Sequence, residues 1–227
     1  MLKIDCISDT HTQHRKIKLP GGDIMIHSGD CTSGVRLPAA LEFLDWYQEQ
    51  PYSHRILVPG NHDTIFEMSP KLMEEECQKR GIILLNDSGC EIEGIKIWGS
   101  PVQPWFYDWS FNRQRGADIR RHWDLIPHDT EILITHGPPH KIRDEVPRGD
   151  GSTEHVGCED LYQKIIQTEV KLHVFGHIHE GGGYVYHEER TYINASSLDG
   201  SYHFKSPGYF RLSKQDGKYV VLERFIS

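Results

Sequence analysis

The 227-residue sequence has few cysteines, and none of its five (Cys6, Cys31, Cys77, Cys90, Cys158) stands in a CxxC spacing with another. This argues against a Cys-rich zinc site and a disulfide framework, and reduced thiols in a cytoplasmic setting are expected. No stretch approaches the roughly 18 apolar residues that cross a bilayer. The opening MLKIDCISDTH meets Asp5 and Asp9 too soon for the apolar core of a signal peptide. A basic excess is missing as well. Lys and Arg number 25 against 33 Asp and Glu, for a net charge of −8 and a pI near 6.0. A generic nucleic-acid binder draws its affinity from neutralised phosphates, so that class is disfavoured. No low-complexity tract, Gly/Ser linker or short repeat breaks the chain, and one domain over residues 1–227 is expected.

What is present is an ordinary globular balance, 37% hydrophobic and 26% charged, with one outlier: 15 histidines outside any tract. Apolar runs punctuated by Gly or Pro predict strands at 2–8, 24–28, 55–59, 82–86, 95–99, 131–136 and 171–176. Further strands are expected at 184–187, 190–194, 207–213 and 218–225. The alternating segment 90-CEIEGIKIW-98 turns at Glu93-Gly94 and predicts a hairpin. Leu37, Leu41, Leu44 and Tyr47 follow helical spacing, so a helix is predicted over 38–50. Others are predicted over 70–80 (opened by Ser69-Pro70, stopped by Gly81), 116–125 and 157–168. Strands alternating with helices and then giving way to hairpins make an α/β protein with mixed sheets.

Five predicted strands end in Asp, His or Asn, most with a glycine alongside: 8-SDTH-11, 29-GDC-31, 60-GNHD-63, 136-HGPP-139 and 176-GHIH-179. Each alone has an ordinary explanation, a helix cap, a turn or an exposed histidine. Together they supply hard and borderline donors with no thiolate, at the strand termini where α/β proteins build their sites. A metal site follows. His177 and His179, one residue apart, are its strongest single signal.

The ordered blocks DTH, GD, GNHD, H-G and GHIH resemble the calcineurin-like metallophosphoesterase superfamily, from residue 5 to about 195. A closer likeness rests on 99-GSPVQPWFYDWSFNRQRG-116, 132-ILITHGPP-139, 157-GCEDL-161, 171-KLHVFGHIHEG-181 and 192-YINAS-196. These are similar to the small metallophosphodiesterases related to the animal brain metallophosphoesterase-domain proteins. The resemblance implies a four-layer α-β-β-α sandwich of two facing mixed sheets, with a dinuclear metal site at the C-terminal ends of strands. It assigns Asp9, His11 and His179 to one ion and Asn61, His136 and His177 to a second, with Asp30 bridging. Gly176 and Gly181–Gly183 would then let the backbone pass close to the crowded site. His62 would assist the leaving group, and Asp63 would orient and charge its imidazole. Mn²⁺ is the family's habit, with Fe, Zn²⁺, Co²⁺ or Ni²⁺ compatible with the donors.

The implied activity is hydrolysis of small phosphodiesters, cyclic nucleotides among them, by a metal-activated hydroxide. Phosphomonoesterase, nucleotidase and nuclease activities at the same site are the alternatives. A non-catalytic scaffold is disfavoured, since both histidines of the GHIH block are present. The partner is a small phosphoester, and the oligomeric state is left open. The aromatic run Trp105, Phe106, Tyr107, Trp109 and Phe111 reads as a lid or as edge packing, with stacking on a nucleobase as the alternative. His140, Arg143 and Arg148 are further candidates for contacting the substrate's far side.

Overall fold

Ile4 and Cys6, Ile24 and Ile26, Ile132 and Ile134, Leu172 and Val174 each stand two residues apart, so each pair projects from one face of its strand. In the computed structural model, which describes residues 2–206 and 208–223, all eight are buried in one apolar cluster between two six-stranded sheets. The first sheet runs, edge to edge, Lys218–Glu223, Phe210–Gln215, Lys3–Ile7, Gly22–His27, Tyr52–Leu57 and Ile82–Leu84. Its last four strands are mutually parallel, and Phe210–Gln215 pairs antiparallel to Lys3–Ile7. The second runs Gly183–His187, Arg190–Asn194, Leu172–Phe175, Ile132–Thr135, Ile95–Ser100 and Ser88–Ile92. Its four central strands are parallel and both edge strands are antiparallel.

The alternate residues of the same strands face outward and need helices to cover them. Ile7, Met25 and Leu57 pack on Phe43, Leu44 and Tyr47 of the helix Leu37–Glu49, and on Met73 and Cys77 of Pro70–Lys79. On the far side Leu133, Phe175 and Tyr192 pack on Ile119 and Trp123 of Ala117–Trp123, and on Leu161 and Ile165 of Glu159–Ile165. The result is the expected α-β-β-α layering of two mixed sheets.

The predicted hairpin forms with Glu93 and Gly94 both at positive φ, 51° and 77°, the turn that matches strand twist. Several predicted strands run one or two residues too long at their C-terminal ends. The chain leaves the sheets at Ile7, His27, Leu57, Thr135 and Phe175, so the donor residues sit in the loops beyond. A short helix Thr64–Met68, the strand pair Gln103–Pro104 and Asn112–Arg113, and the hairpin Glu145–Pro147 with Thr153–His155 had no predicted counterpart. The expected strand residues 207 and 224–225 lie outside the described residues. All five cysteines are unpaired, and no helix among the described residues is long and apolar enough to cross a membrane.

One polar cluster ties the first sheet together. Asp5 is fully buried, and Arg211 on the neighbouring strand donates to both its oxygens at 2.8 and 2.6 Å. The Tyr52 hydroxyl donates to the same carboxylate, and Arg211 also donates to the Gly21 carbonyl at 2.6 Å. Removing one partner of a buried pair leaves the other charge uncompensated. Asp5→Ala is therefore expected to lower unfolding free energy by about 3 kcal/mol in a denaturant titration. A loss below about 0.5 kcal/mol would contradict the assignment.

Candidate metal centre

Five parallel strands, three from the first sheet and two from the second, release their C-terminal ends onto one edge of the sandwich. A bridge between Ser8 and Ser196 holds the two sheets together there. The loops that follow bring together all seven residues of the expected donor set. The donor atoms of Asp9, His11 and His179 lie within 4.8 Å of one another, as do those of Asp30, His136 and His177. His11 Nε2 is 3.3 Å from His179 Nε2, and His179 Nε2 is 3.4 Å from Asp9 Oδ1. In the second group His136 Nε2 is 3.3 Å from Asp30 Oδ2 and 2.8 Å from Asn61 Oδ1. The same Asp30 Oδ2 lies 3.7 Å from His11 Nε2, so one oxygen faces both groups.

The backbone is strained to achieve this. Asp9, His11, Asp30 and His177 hold φ of 52°, 39°, 56° and 68°, a region that costs a non-glycine residue on the order of 1–2 kcal/mol. The close approach also requires glycine. A Cβ at Gly60 would fall 2.3 Å from Asp30 Oδ1, and one at Gly176 would fall 2.1 Å from Asp9 Oδ2. Gly181 and Gly183, expected to ease the same crowding, instead make room for Arg143.

The hydrogen bonds behind the site fix which atoms face it. His136 Nδ1 contacts the Ser28 carbonyl at 3.0 Å and His179 Nδ1 the Asp199 carbonyl at 3.0 Å, so each ring donates Nδ1–H outward and turns Nε2 inward. Asp9 accepts from the His177 amide at 3.0 Å and from the Ser196 hydroxyl at 2.8 Å. Ser196 and Tyr202, whose ring lies 5.0 Å from those of His11 and His179, had not been picked out as site residues. Ser196 falls in the matched block 192-YINAS-196; Tyr202 carries no sequence signal.

Burial alone would raise the Asp9 carboxyl, but the His179 hydrogen bond and the His179, His136 and His11 rings hold it well below the usual carboxylate range. Asp30 is lowered in the same way, burial being outweighed chiefly by His136. Burial pushes His177 down to about 3. His136 goes the other way: burial opposes its charge, yet Asp30 raises it to about 9. The His136 Nε2 faces two acceptor oxygens, Asp30 Oδ2 and Asn61 Oδ1, which favour its protonated form in the metal-free site. Two carboxylates, four imidazoles and one amide oxygen, turned inward in two groups that share an oxygen, fit a pair of divalent cations.

His62 and Asp63 separate. The His62 ring stands in a cavity of about 660 Å³, 4.1 Å from the Trp109 ring and 4.9 Å from that of His11. Asp63 makes its hydrogen bonds elsewhere than on this imidazole, a correction to the expected orienting role, though its charge still favours the protonated His62 ring. Its buried carboxylate turns under the Asp30 loop, accepting from the Thr32 amide and hydroxyl at 2.8 Å each, the Gly60 amide at 2.9 Å and the Cys31 amide at 3.2 Å. It clamps the loop that carries Asp30. Of the aromatic run, Phe111 is buried in the core while Phe106, Tyr107 and Trp109 line the cavity with Tyr202. His140, Arg143 and Arg148 lie elsewhere. Arg143 donates to the Gly181 and Gly182 carbonyls, Arg148 pairs with Glu154, and His140 faces Asp144 and Glu159.

The profile of calcineurin-like phosphoesterases matches residues 2–181. Human metallophosphoesterase domain-containing protein 1 is 37% identical over 225 residues, covering 89% of this chain and 68% of its own. A UPF0046 protein of Caenorhabditis elegans is 32% identical over 210 residues, covering 87% of this chain and 70% of its own. The crystal structure of TT1561 of Thermus thermophilus shares the fold at a TM-score of 0.63 and 12% identity, over 97% of both chains. A profile match over most of the chain and relatives at this identity make the protein a member of the calcineurin-like phosphoesterase family, and a phosphoric ester hydrolase.

Proposed function

We propose that this chain hydrolyses small phosphodiesters, cyclic nucleotides among them, using two divalent cations, with Mn²⁺ the favoured pair. Asp9, His11 and His179 would hold one, Asn61, His136 and His177 the other, and Asp30 both. The observation that carries this reading is the single Asp30 oxygen between the two histidine groups, at the floor of an aromatic cavity. When bound, such a pair supplies Lewis-acid charge at the phosphoryl oxygens and a water whose pKa is brought near neutrality.

The cavity lining supports a diester over a monoester. It includes Phe106, Tyr107, Trp109 and Tyr202, with Asp108 and Glu180 but neither Lys nor Arg. Beyond the cation pair, the second negative charge of a monoester would find carboxylates and, among the described residues, no Lys or Arg to hold it, whereas a diester carries one charge and two organic groups. The aromatic walls suit a nucleobase. The acidic rim disfavours a long polyanion. Five unpaired thiols support a cytoplasmic setting.

His62 is the residue assigned to the leaving group. Burial holds its pKa below the ordinary histidine range, so at neutral pH it meets the departing oxygen as an uncharged N–H donor. As a water oxygen bonds to phosphorus, the P–O bond to the leaving alcohol breaks with its electron pair. The His62 N–H stabilises the charge on that oxygen, and the proton given up by the attacking water ends on it. The products are an alcohol and a monoester, or one molecule carrying both when the diester is cyclic. Trp109 and His11 flank the ring and fix where it points. Asp63 acts chiefly by clamping the Asp30 loop, and its charge also reaches the His62 ring.

Two outcomes are expected. His62→Ala should retain both cations yet lose about 100-fold in kcat toward an alkyl-leaving diester, and less toward a p-nitrophenyl diester that departs unaided. Full activity toward the alkyl diester would remove His62 from the reaction. The second concerns pH. A cation takes the neutral His136 ring, and the metal-free ring is protonated below about 9. Loading must then displace that proton, so Mn²⁺ affinity should weaken as pH falls from 9 to 7, by about tenfold per unit if one proton is released. Calorimetry with Mn²⁺ at several pH values measures it, and a flat profile would contradict the assignment of His136.

A further inference from the structure

A second hollow, of about 490 Å³, opens beside the metal cavity, and Phe106, His177 and Glu180 stand in the wall that the two share. Its other walls have a different chemistry. Trp105 comes from one side, Val146 and Val156 from the hairpin Glu145–Pro147 and Thr153–His155 and the residue after it, and Ile178 from the loop between the two histidines. Trp105 and Phe106 are 53% and 52% exposed, large aromatic surfaces that no part of the core accounts for. Among the described residues on the wall the one Lys or Arg, Arg115, gives its two Nη groups to the Gly157 and Val156 carbonyls at 2.8 and 2.6 Å, so it braces the hairpin. Glu154 on the same wall is paired with Arg148 at 2.5 Å.

An in-line displacement has an axis. The attacking and leaving oxygens lie along it, and the ester group that stays on phosphorus lies to the side, in the equatorial plane. His62 lines the first cavity and not the second, whereas His177 lines both. A leaving alcohol at His62 therefore sends the retained group sideways, and the apolar hollow past His177 is open to receive it.

We propose that this hollow is a subsite for the retained substituent of the diester, and that the substituent it takes is an uncharged, flat aromatic or heterocyclic ring. The substrate class narrows to diesters that keep such a ring on the monoester product. A retained group bearing further phosphates is disfavoured, because the wall also carries Glu154 and Glu180 and its Arg115 already gives both Nη groups to backbone carbonyls. This inference rests on the diesterase reading.

Methyl p-nitrophenyl phosphate and phenyl p-nitrophenyl phosphate share a leaving group and differ only in what is retained. Mn²⁺-loaded wild-type protein should prefer the phenyl ester by about tenfold or more in kcat/KM, mostly through KM. Val156→Asp, which puts a carboxylate in the hollow, and Trp105→Ala, which removes its flat wall, should each bring that ratio toward one. Turnover of the methyl ester reports that each variant is folded and loaded. A wild-type ratio near one, or a phenyl preference that survives both variants, would overturn the subsite and leave the diesterase reading standing. Failure of loaded wild type to cleave either diester would remove the diesterase reading and the subsite with it.

Discussion

The carboxylate of Asp30 is buried, and burying an isolated charge is among the most costly things a fold can do. It is tolerated because each oxygen has a purpose. Oδ1 accepts the His62 amide at 2.8 Å, while Oδ2 faces His136 on one side and His11 on the other. The loop below is held by Asp63, itself buried and raised by that burial and by the charge of Asp30. Two stacked carboxylates repel, so the arrangement persists only where donors and positive charge surround them. The Thr32, Cys31 and Gly60 amides serve the lower one. Histidines surround the upper one, and a pair of cations held there would add the positive charge it calls for.

The sandwich makes this convergence possible. Neither sheet alone carries enough exits: Asp9, Asp30 and Asn61 follow strands of the first, and His136 and His177 follow strands of the second. Facing the sheets with their parallel strands ending at one edge brings donors 168 residues apart, His11 and His179, within 3.3 Å. Stability comes from the interior, where alternate Ile, Leu and Val residues fill the space between the sheets. The strained φ values at Asp9, His11, Asp30 and His177 draw on that stability.

Much of this was legible in the chain, for a physical reason. Period-two burial along apolar runs and donor side chains at strand exits are local patterns, so the strands and the donor-bearing exits could be read residue by residue. The two-sheet layering and the grouping of the donors came from the family resemblance. Direction was not legible. Asn61, His62 and Asp63 are consecutive, but in a turn neighbouring side chains diverge, and Asp63 turned to the backbone of Thr32 and Gly60 rather than to His62. Arg143, which looked free for substrate, is occupied by the carbonyls of Gly181 and Gly182. The hairpin at 145–155 left no trace because both its faces are largely exposed and its residues follow no apolar alternation. Tyr202 reaches the site from a loop with φ of 62°, which no motif announces.

Anomalous diffraction from crystals grown with Mn²⁺ tests the central arrangement most directly. Two peaks roughly 3.5–4 Å apart, with the Asp30 carboxylate between them and the two histidine groups on opposite sides, are the predicted result. A single peak, or two with Asp30 touching neither, would contradict it.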